Sequence, residues 1–342
     1  MPMYIRNLQN GWWLNQIGGR QINTLSAPLY YRRKSMMTER QLLNLLLRLI
    51  ARTTPHGYER KLAGYLPKGG YWDAADNYIV EVGSGSETLF ACHLDTVGLK
   101  QYKTKPVMQQ GIIRTGNKNA PCLGGDDKCG VLCMIAMIAA GVPGVYIFHA
   151  GEECGGIGAS EIAEVMDLTR FKRAIEFDRR GRTSVITSMG WIDTCSLEFA
   201  SELCEQLGMG FTPDPTGTFT DVLEYAHIIP EVTNISVGYS DAHSAKEIID
   251  AAWLITELIP RLYQVDWEAL PVKRDPASAY VWEEPLYYRM GALRAYRHDD
   301  EWWCCDLCGY PVIADGVEVL ELDGYCYHVC PECMVYFERV RV

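Results

Sequence analysis

Two rhythms of apolar and polar residues alternate along the chain. Thr38 precedes TERQLLNLLLRLIAR, where leucines recur at helical spacing, which predicts an amphipathic helix with Thr38 as its N-cap. The stretch TTPHGYERKLAGYL reads as a turn into a second helix. NYIVEV and TLFACH are short, β-branched and aromatic, and so predict strands, as does IIRT at 112–115. KCGVLCMIAMIAA is apolar all round and predicts a buried helix ended by Gly141 and Pro143. A strand at 145–149, a helix near 158–166 and the strand RAIEFD follow. Beyond SVITSMG come a helix near 193–207, the turn-rich FTPDPTGTFTD, the strand NISVG and a long closing helix at about 245–263. Strands alternating with helices predict an α/β fold with a central mixed, mostly parallel sheet and helices on both faces.

The rhythm breaks at both ends. Residues 1–36 carry a Trp-Trp pair and the basic run YYRRK without periodicity, and read as an N-terminal extension. The periodic region, 37–265, is the principal domain. From 266 to 300 the texture of VDWEALPVKRDPASAYVWEEP is that of a linker or packed arm, and 301–342 forms a separate cysteine-rich segment.

Five junctions between an apolar strand and a turn carry acids or histidines. They are HLDTV with His93 and Asp95, GGDDKCG with Asp126 and Asp127, GEEC with Glu152 and Glu153, EFD with Asp178, and DAHS with His243. In open α/β sheets ligands gather at the carboxyl edge of the strands, so these residues can converge although 150 positions separate the first from the last. Histidines with carboxylates suit zinc. Five donors exceed one tetrahedral catalytic zinc and suit two, bridged by a carboxylate. The adjacent Glu152 and Glu153 then divide their work, one binding metal and one carrying a proton.

In order and content these five motifs resemble the co-catalytic di-zinc exopeptidase superfamily, over roughly residues 38–263. The resemblance implies that Asp126 bridges the metals, that His93 and Asp178 complete one site and that Glu153 and His243 complete the other. It implies Glu152 as general base, taking a proton from a metal-bound bridging water and passing it to the leaving amine, and Asp95 as the catalytic-site residue that orients His93. It also implies a cis peptide at Asp126–Asp127. Only 65 positions run from Asp178 to His243 and 33 from His93 to Asp126, which leaves no room for an inserted lid. The chain therefore looks most like the compact, lidless aminopeptidases and tripeptidase T. The expected function is a zinc-dependent exopeptidase, an aminopeptidase, acting on a peptide or small amide. The same metals would serve an N-acyl amino acid deacylase or carboxypeptidase, and an inactive peptidase-fold binding protein is the reading from another class.

Composition sharpens the picture at two points. Of 13 cysteines, six fall at 304, 305, 308, 326, 330 and 333. Cys305/Cys308 and Cys330/Cys333 form two CxxC pairs separated by 21 residues, the spacing of a four-thiolate zinc site. This segment resembles a zinc ribbon, with Cys304, Cys326 and His328 as spare candidate ligands, giving three expected zincs in all, and suggests a protein partner through the ribbon. Cys92, Cys129 and Cys154 flank the motifs and read as packing positions. The formal net charge of −11 argues against nucleic acid or an anionic membrane as partner. No run of about eighteen apolar residues occurs, and the N-terminus lacks the apolar core of a secretory signal. The expected location is the cytoplasm, and the sequence carries no reading of oligomeric state.

Overall fold

The computed structural model describes residues 36–190 and 192–279, and beyond them only six short strands. The chain divides into two compact units, Met1–Lys34 and Ser35–Val342. In the first, Gln16–Ile17 pairs antiparallel with Arg20–Gln21.

The second unit is built on an eight-stranded sheet. In chain order its strands are β1 (Tyr71–Trp72), β2 (Tyr78–Val82), β3 (Thr88–His93) and β4 (Gly144–His149). They are followed by β5 (Arg173–Arg179), β6 (Ser184–Ile186), β7 (Thr212–Asp214) and β8 (Glu231–Ser236). Their spatial order is β7-β6-β8-β5-β3-β4-β2-β1. The central four, β8, β5, β3 and β4, run parallel; β6 and β2 flank them antiparallel, and β1 pairs antiparallel with β2. The sheet is thus mixed and mostly parallel at its heart, as the sequence pattern predicts.

Both faces of the sheet are covered, which is why the central strands read as near-continuous apolar runs. Phe90 and Cys92 of β3 pack into one core with Leu42, Leu46 and Leu49 of α1 (Glu39–Leu49) and the apolar residues of α2 (Gly125–Ala140). Leu89 and Ala91 pack into a second core with Ala159 and Ile162 of α3 (Ile157–Val165). α4 (Leu197–Leu207) adds Phe199, Leu203 and Leu207 to the first. Thr38 caps α1, accepting from the Gln41 amide at 3.3 Å while the Gln41 side chain accepts from the Thr38 amide at 2.8 Å.

Three expected elements differ. The segment after Tyr58 makes only a 3-10 turn, Glu59–Leu62, in place of a second helix. Residues 192–193 are extended, and α4 starts after Ser196, whose hydroxyl accepts from the Phe199 amide. The long closing helix is shorter than its apolar run: Ile248–Asp250 is a strand, and helix begins at Ala251. The Asp250 carboxylate accepts from the Trp253 amide at 3.1 Å and so caps it. The helix (α5) then runs through a π-helical stretch, Leu254–Leu258, to Ile259–Leu262. Pro260 has no N–H to donate within it, and the wider turn lies directly before that residue.

Ile248–Asp250 belongs to a small antiparallel sheet with Pro106–Gln109, Ile112–Thr115 and Tyr239–Ser240. Residues 266–277 form a packed arm. Trp267 sets its ring edge-on to Phe90 at 5.0 Å, and the Arg173 guanidinium donates to the carbonyls of Glu268 and Leu270. Among the described residues no helix is long and apolar enough to cross a membrane. Toward the C-terminus Trp302–Cys304 pairs with Pro311–Ile313, and Glu318–Leu322 with Tyr325–Val329. The second hairpin falls between the two CxxC pairs, but Cys305, Cys308, Cys330 and Cys333 lie outside the described residues.

Candidate metal centre

The parallel strands set their carboxyl ends on one edge. The chain passes from β3 outward to β4 and returns across β3 to β5, so a crevice opens where the direction of winding reverses. Register levels the side chains there: His93 faces His149 across β3 and β4, and Ala91 pairs with Glu176, which puts Asp178 opposite the end of β3.

Five residues meet in this crevice. The Asp126 carboxylate lies between two imidazoles, Oδ1 at 3.0 Å from His93 Nε2 and Oδ2 at 3.2 Å from His243 Nε2. Asp178 Oδ1 is 3.6 Å from the same His93 nitrogen, and Glu153 Oε2 is 3.0 Å from the His243 nitrogen. Two donor triads result, His93–Asp126–Asp178 and Asp126–Glu153–His243, and they share Asp126. His93 also groups with Glu152 and Glu153. Every ligand expected in the cleft is therefore brought together with the others.

Glu152 and Glu153 sit on a 3-10 turn that follows β4 between left-handed glycines, Gly151 and Gly155. The Glu153 carboxylate is engaged, accepting from the Val97 amide at 3.1 Å and facing His243. Among the described residues the Glu152 carboxylate has no hydrogen-bond partner, and Glu152 lines a cavity of about 460 Å³ with Asp126, Asp178, Phe219 and Tyr239.

Asp95 is fully buried. It lies 3.4 Å from His93 Nδ1, and its two oxygens accept the amides of Glu152 and Glu153, each at 3.1 Å. It is a positioning residue for the acidic turn and faces the imidazole. Asp127 is one too: one oxygen accepts from the Gly130 amide at 2.9 Å and the other from the His93 amide at 3.3 Å. A Cβ at residue 130 would come within 2.0 Å of the Phe177 carbonyl oxygen, so glycine lets α2 lie this close to β5. The Asp126–Asp127 peptide is cis.

Several residues that pattern reading passed over hold the site in place. Lys128 is buried and donates to the carbonyls of Leu94 at 2.6 Å and Asp95 at 3.3 Å. Glu247 is buried and accepts three amides of the loop that carries Asp126. Asp178 is held by Tyr239, whose hydroxyl donates to Oδ1 at 3.1 Å, and by Asn234, which accepts its amide at 2.8 Å. One signal was available for Lys128, a cation at the head of the apolar run KCGVLCMIAMIAA. Cys92 and Cys129 are buried and Cys154 half-buried.

Charge in the crevice favours a cation. Burial pushes the Asp178 carboxyl up to about 6, aided by Asp126, and pushes Glu152 well above the ordinary range, aided by Glu153 and Asp178. Burial opposes charge on His93, yet Asp178, Asp126 and Asp95 hold its pKa well above the ordinary value; Glu153 lifts His243 to about 12. Among the described residues no lysine or arginine forms an ion pair with Asp126, Asp178, Glu152 or Glu153. Imidazole and carboxylate donors in two triads fit zinc.

His149, one strand away, is a core residue. Tyr225 donates to its Nε2 at 3.1 Å and Asn77 Oδ1 lies 3.4 Å from Nδ1. Burial lowers its pKa from about 6.5 to about 3. The unfolded chain therefore takes up this proton first. His149 contributes stability in full above about pH 6.5 and loses it as pH falls toward 3. His149→Gln keeps amide partners for Tyr225 and Asn77. Between pH 6 and 4 the wild type should lose stability faster than this variant by about 1.4 kcal/mol per pH unit. Urea unfolding of both proteins at stepped pH measures it, and parallel curves would contradict it.

No protein-family model and no curated protein sequence matches the chain. Among solved structures the fold is similar to that of aminopeptidase PepT from Bacillus cereus ATCC 10987, at 15% identity, covering 67% of this chain and 98% of that one with a TM-score of 0.54. A tripeptidase from Staphylococcus aureus subsp. aureus Mu50 is similar at 16% identity, 67% and 99% coverage and a TM-score of 0.53. An aminopeptidase from the archaeon Desulfurococcus kamchatkensis is similar at 14% identity, 72% and 99% coverage and a TM-score of 0.50. At these identities the likeness is one of fold, and the fold is the one that the motif resemblance implied.

Proposed function

We propose that this protein is a zinc-dependent exopeptidase, an aminopeptidase, that hydrolyses peptide bonds in the crevice at the carboxyl edge of β3, β4 and β5. The observation that carries the reading is the Asp126 carboxylate between His93 and His243, with Asp178 and Glu153 closing the two triads. One zinc would be held by His93, Asp126 and Asp178, the second by Asp126, Glu153 and His243. Zinc bound there supplies Lewis acidity toward a water and toward the scissile carbonyl.

The chain's own groups do the rest. Glu152, uncommitted and lining the cavity, accepts the proton of the attacking water and returns it to the leaving amine. Asp95 holds the Glu152 and Glu153 amides so that the first carboxylate stays at the cavity while the second meets His243. Aminopeptidases of the same fold support the substrate class. The C-terminal CxxC pairs are proposed to hold a third, structural zinc through Cys305, Cys308, Cys330 and Cys333.

A second reading has one observation in its favour. Arg179 and Arg182 are committed to Asp214 and Asp250, at 3.7 and 3.0 Å. Arg180 is exposed at the same cavity, with no acidic partner among the described residues. A substrate carboxylate near the scissile bond, as in N-acyl amino acids, would suit it. Zinc-loaded protein should cleave peptides with a free N-terminal amine and fail on their N-acetylated forms. Equal or faster cleavage of N-acyl amino acids would replace the aminopeptidase reading with the deacylase one.

A further inference from the structure

Glu247 lies outside both donor triads, yet it is fully buried, which an acidic side chain tolerates only with strong partners. Its partners are three backbone amides of one loop. Oε2 accepts from Leu123 at 2.6 Å and Gly124 at 2.8 Å, and Oε1 accepts from Asp126 at 2.9 Å. A Cβ at Gly125 would come within 2.9 Å of Oε1, so the loop wraps tightly around this carboxylate.

The other end of Glu247 belongs to the His243 loop. The Glu247 amide donates to the Ser244 carbonyl at 3.1 Å, and the Ser244 hydroxyl accepts from Lys246 and donates to the Asp241 carbonyl. Ser244–Glu247 is thus one closed turn that begins next to His243. His243 itself is half exposed and has a left-handed backbone, φ +57°. Its imidazole contacts only Asp126 and Glu153 among the described acids.

We infer that Glu247 is a positioning residue that cross-links the Asp126 loop to the His243 loop and thereby sets the geometry of the Asp126–Glu153–His243 metal position. The inference rests on the two-metal reading above. Selectivity follows from what holds the other triad. His93 and Asp178 are carried by central strands β3 and β5, with Asp127, Asn234 and Tyr239 as further anchors. His243 lies off the central sheet, on the loop between the paired strands Tyr239–Ser240 and Ile248–Asp250, and the turn ended by Glu247 ties that loop to the Asp126 loop. Loss of Glu247 therefore loosens one metal position far more than the other, although Asp126 belongs to both.

The test is cobalt(II) titration of the full chain against a competing chromophoric chelator, comparing wild type, Glu247→Gln and Glu247→Ala. Thiolate charge-transfer absorption marks any cobalt held by the C-terminal cysteines and separates it from cobalt on nitrogen and oxygen donors. In Glu247→Ala one cleft affinity should fall about 10–100-fold, the usual scale for losing a hydrogen-bond partner behind a ligand. The other should change by much less. Glu247→Gln keeps one acceptor oxygen and should recover part of the loss. Equal changes at both positions, or lowered thermal stability with unchanged affinities, would overturn the inference while leaving the two-metal reading intact. Wild-type protein that binds fewer than two cleft cobalts would overturn that reading and this inference with it.

Discussion

Glu152→Gln is expected to lower turnover by about 10²–10⁴-fold while both cleft metals stay bound. Glutamine keeps the size of the side chain and a carbonyl oxygen, but it cannot take up a proton and return it. Glu152 has no side-chain hydrogen-bond partner among the described residues, so the change breaks no hydrogen bond there. Its backbone amide still donates to Asp95, which keeps the turn in place. Glu153→Gln should behave differently although it is the adjacent residue. Glu153 faces His243 at 3.0 Å and accepts from Val97, so its charge lies inside one donor triad. That variant should lose metal at one position before chemistry is reached. Elemental analysis beside single-substrate kinetics separates the two. A Glu152→Gln protein with near-normal turnover, or with the metal loss of Glu153→Gln, would contradict the division of labour.

Much of the donor set was legible because its residues stand where strand pattern meets turn chemistry. His93 ends β3, Asp178 lies on β5, and Glu153 follows β4 after a glycine, so finding the strands was enough to align them on one edge. Asp126 and His243 were legible for another reason: each adjoins a second polar residue beside glycine or serine, in motifs whose order resembles a known superfamily. What stayed hidden acts through the backbone. Glu247 touches only amides, and a carboxylate that accepts amides leaves no periodic trace in sequence. Nor did Tyr239 show itself, since its hydroxyl reaches Asp178 from the small sheet across the fold.

The misplaced start of the closing helix has a similar origin. IIDAAWLITEL is apolar enough to continue either element, and hydrophobic spacing alone cannot divide it. Asp250 was the available signal, an N-cap residue directly before the observed helix. Pairing of Ile248 and Ile249 with Arg114 and Ile113 decides for a strand, and this is a tertiary contact. The consequence reaches the site, because the strand leaves room for the Ser244–Glu247 turn that a helix from 245 would have consumed.

Asp126→Asn should empty both cleft positions, where Glu153→Gln empties one. Asp126 is the one residue common to the His93–Asp126–Asp178 and Asp126–Glu153–His243 triads. Its two oxygens serve different imidazoles, Oδ1 toward His93 and Oδ2 toward His243. An asparagine offers one oxygen and one NH2 group, so it can present an acceptor to one side only, and it removes the anionic charge from both. Affinity at each position should therefore fall by more than the ~10–100-fold typical of losing a partner behind a ligand, and turnover should fall with it. The fold should survive. The Asp126 amide that donates to Glu247 is unchanged, and α2 is anchored by apolar burial along Val131–Met137. The measurement is zinc per chain after brief chelator exposure, with circular dichroism to confirm structure and with Cys305→Ser/Cys308→Ser as the shared background, so that C-terminal thiolates do not contribute metal. Zinc content near two per chain in the Asp126→Asn protein would mean that the carboxylate does not bridge. Content near one, with the loss confined to the position that Glu153→Gln also empties, would assign Asp126 to that position alone.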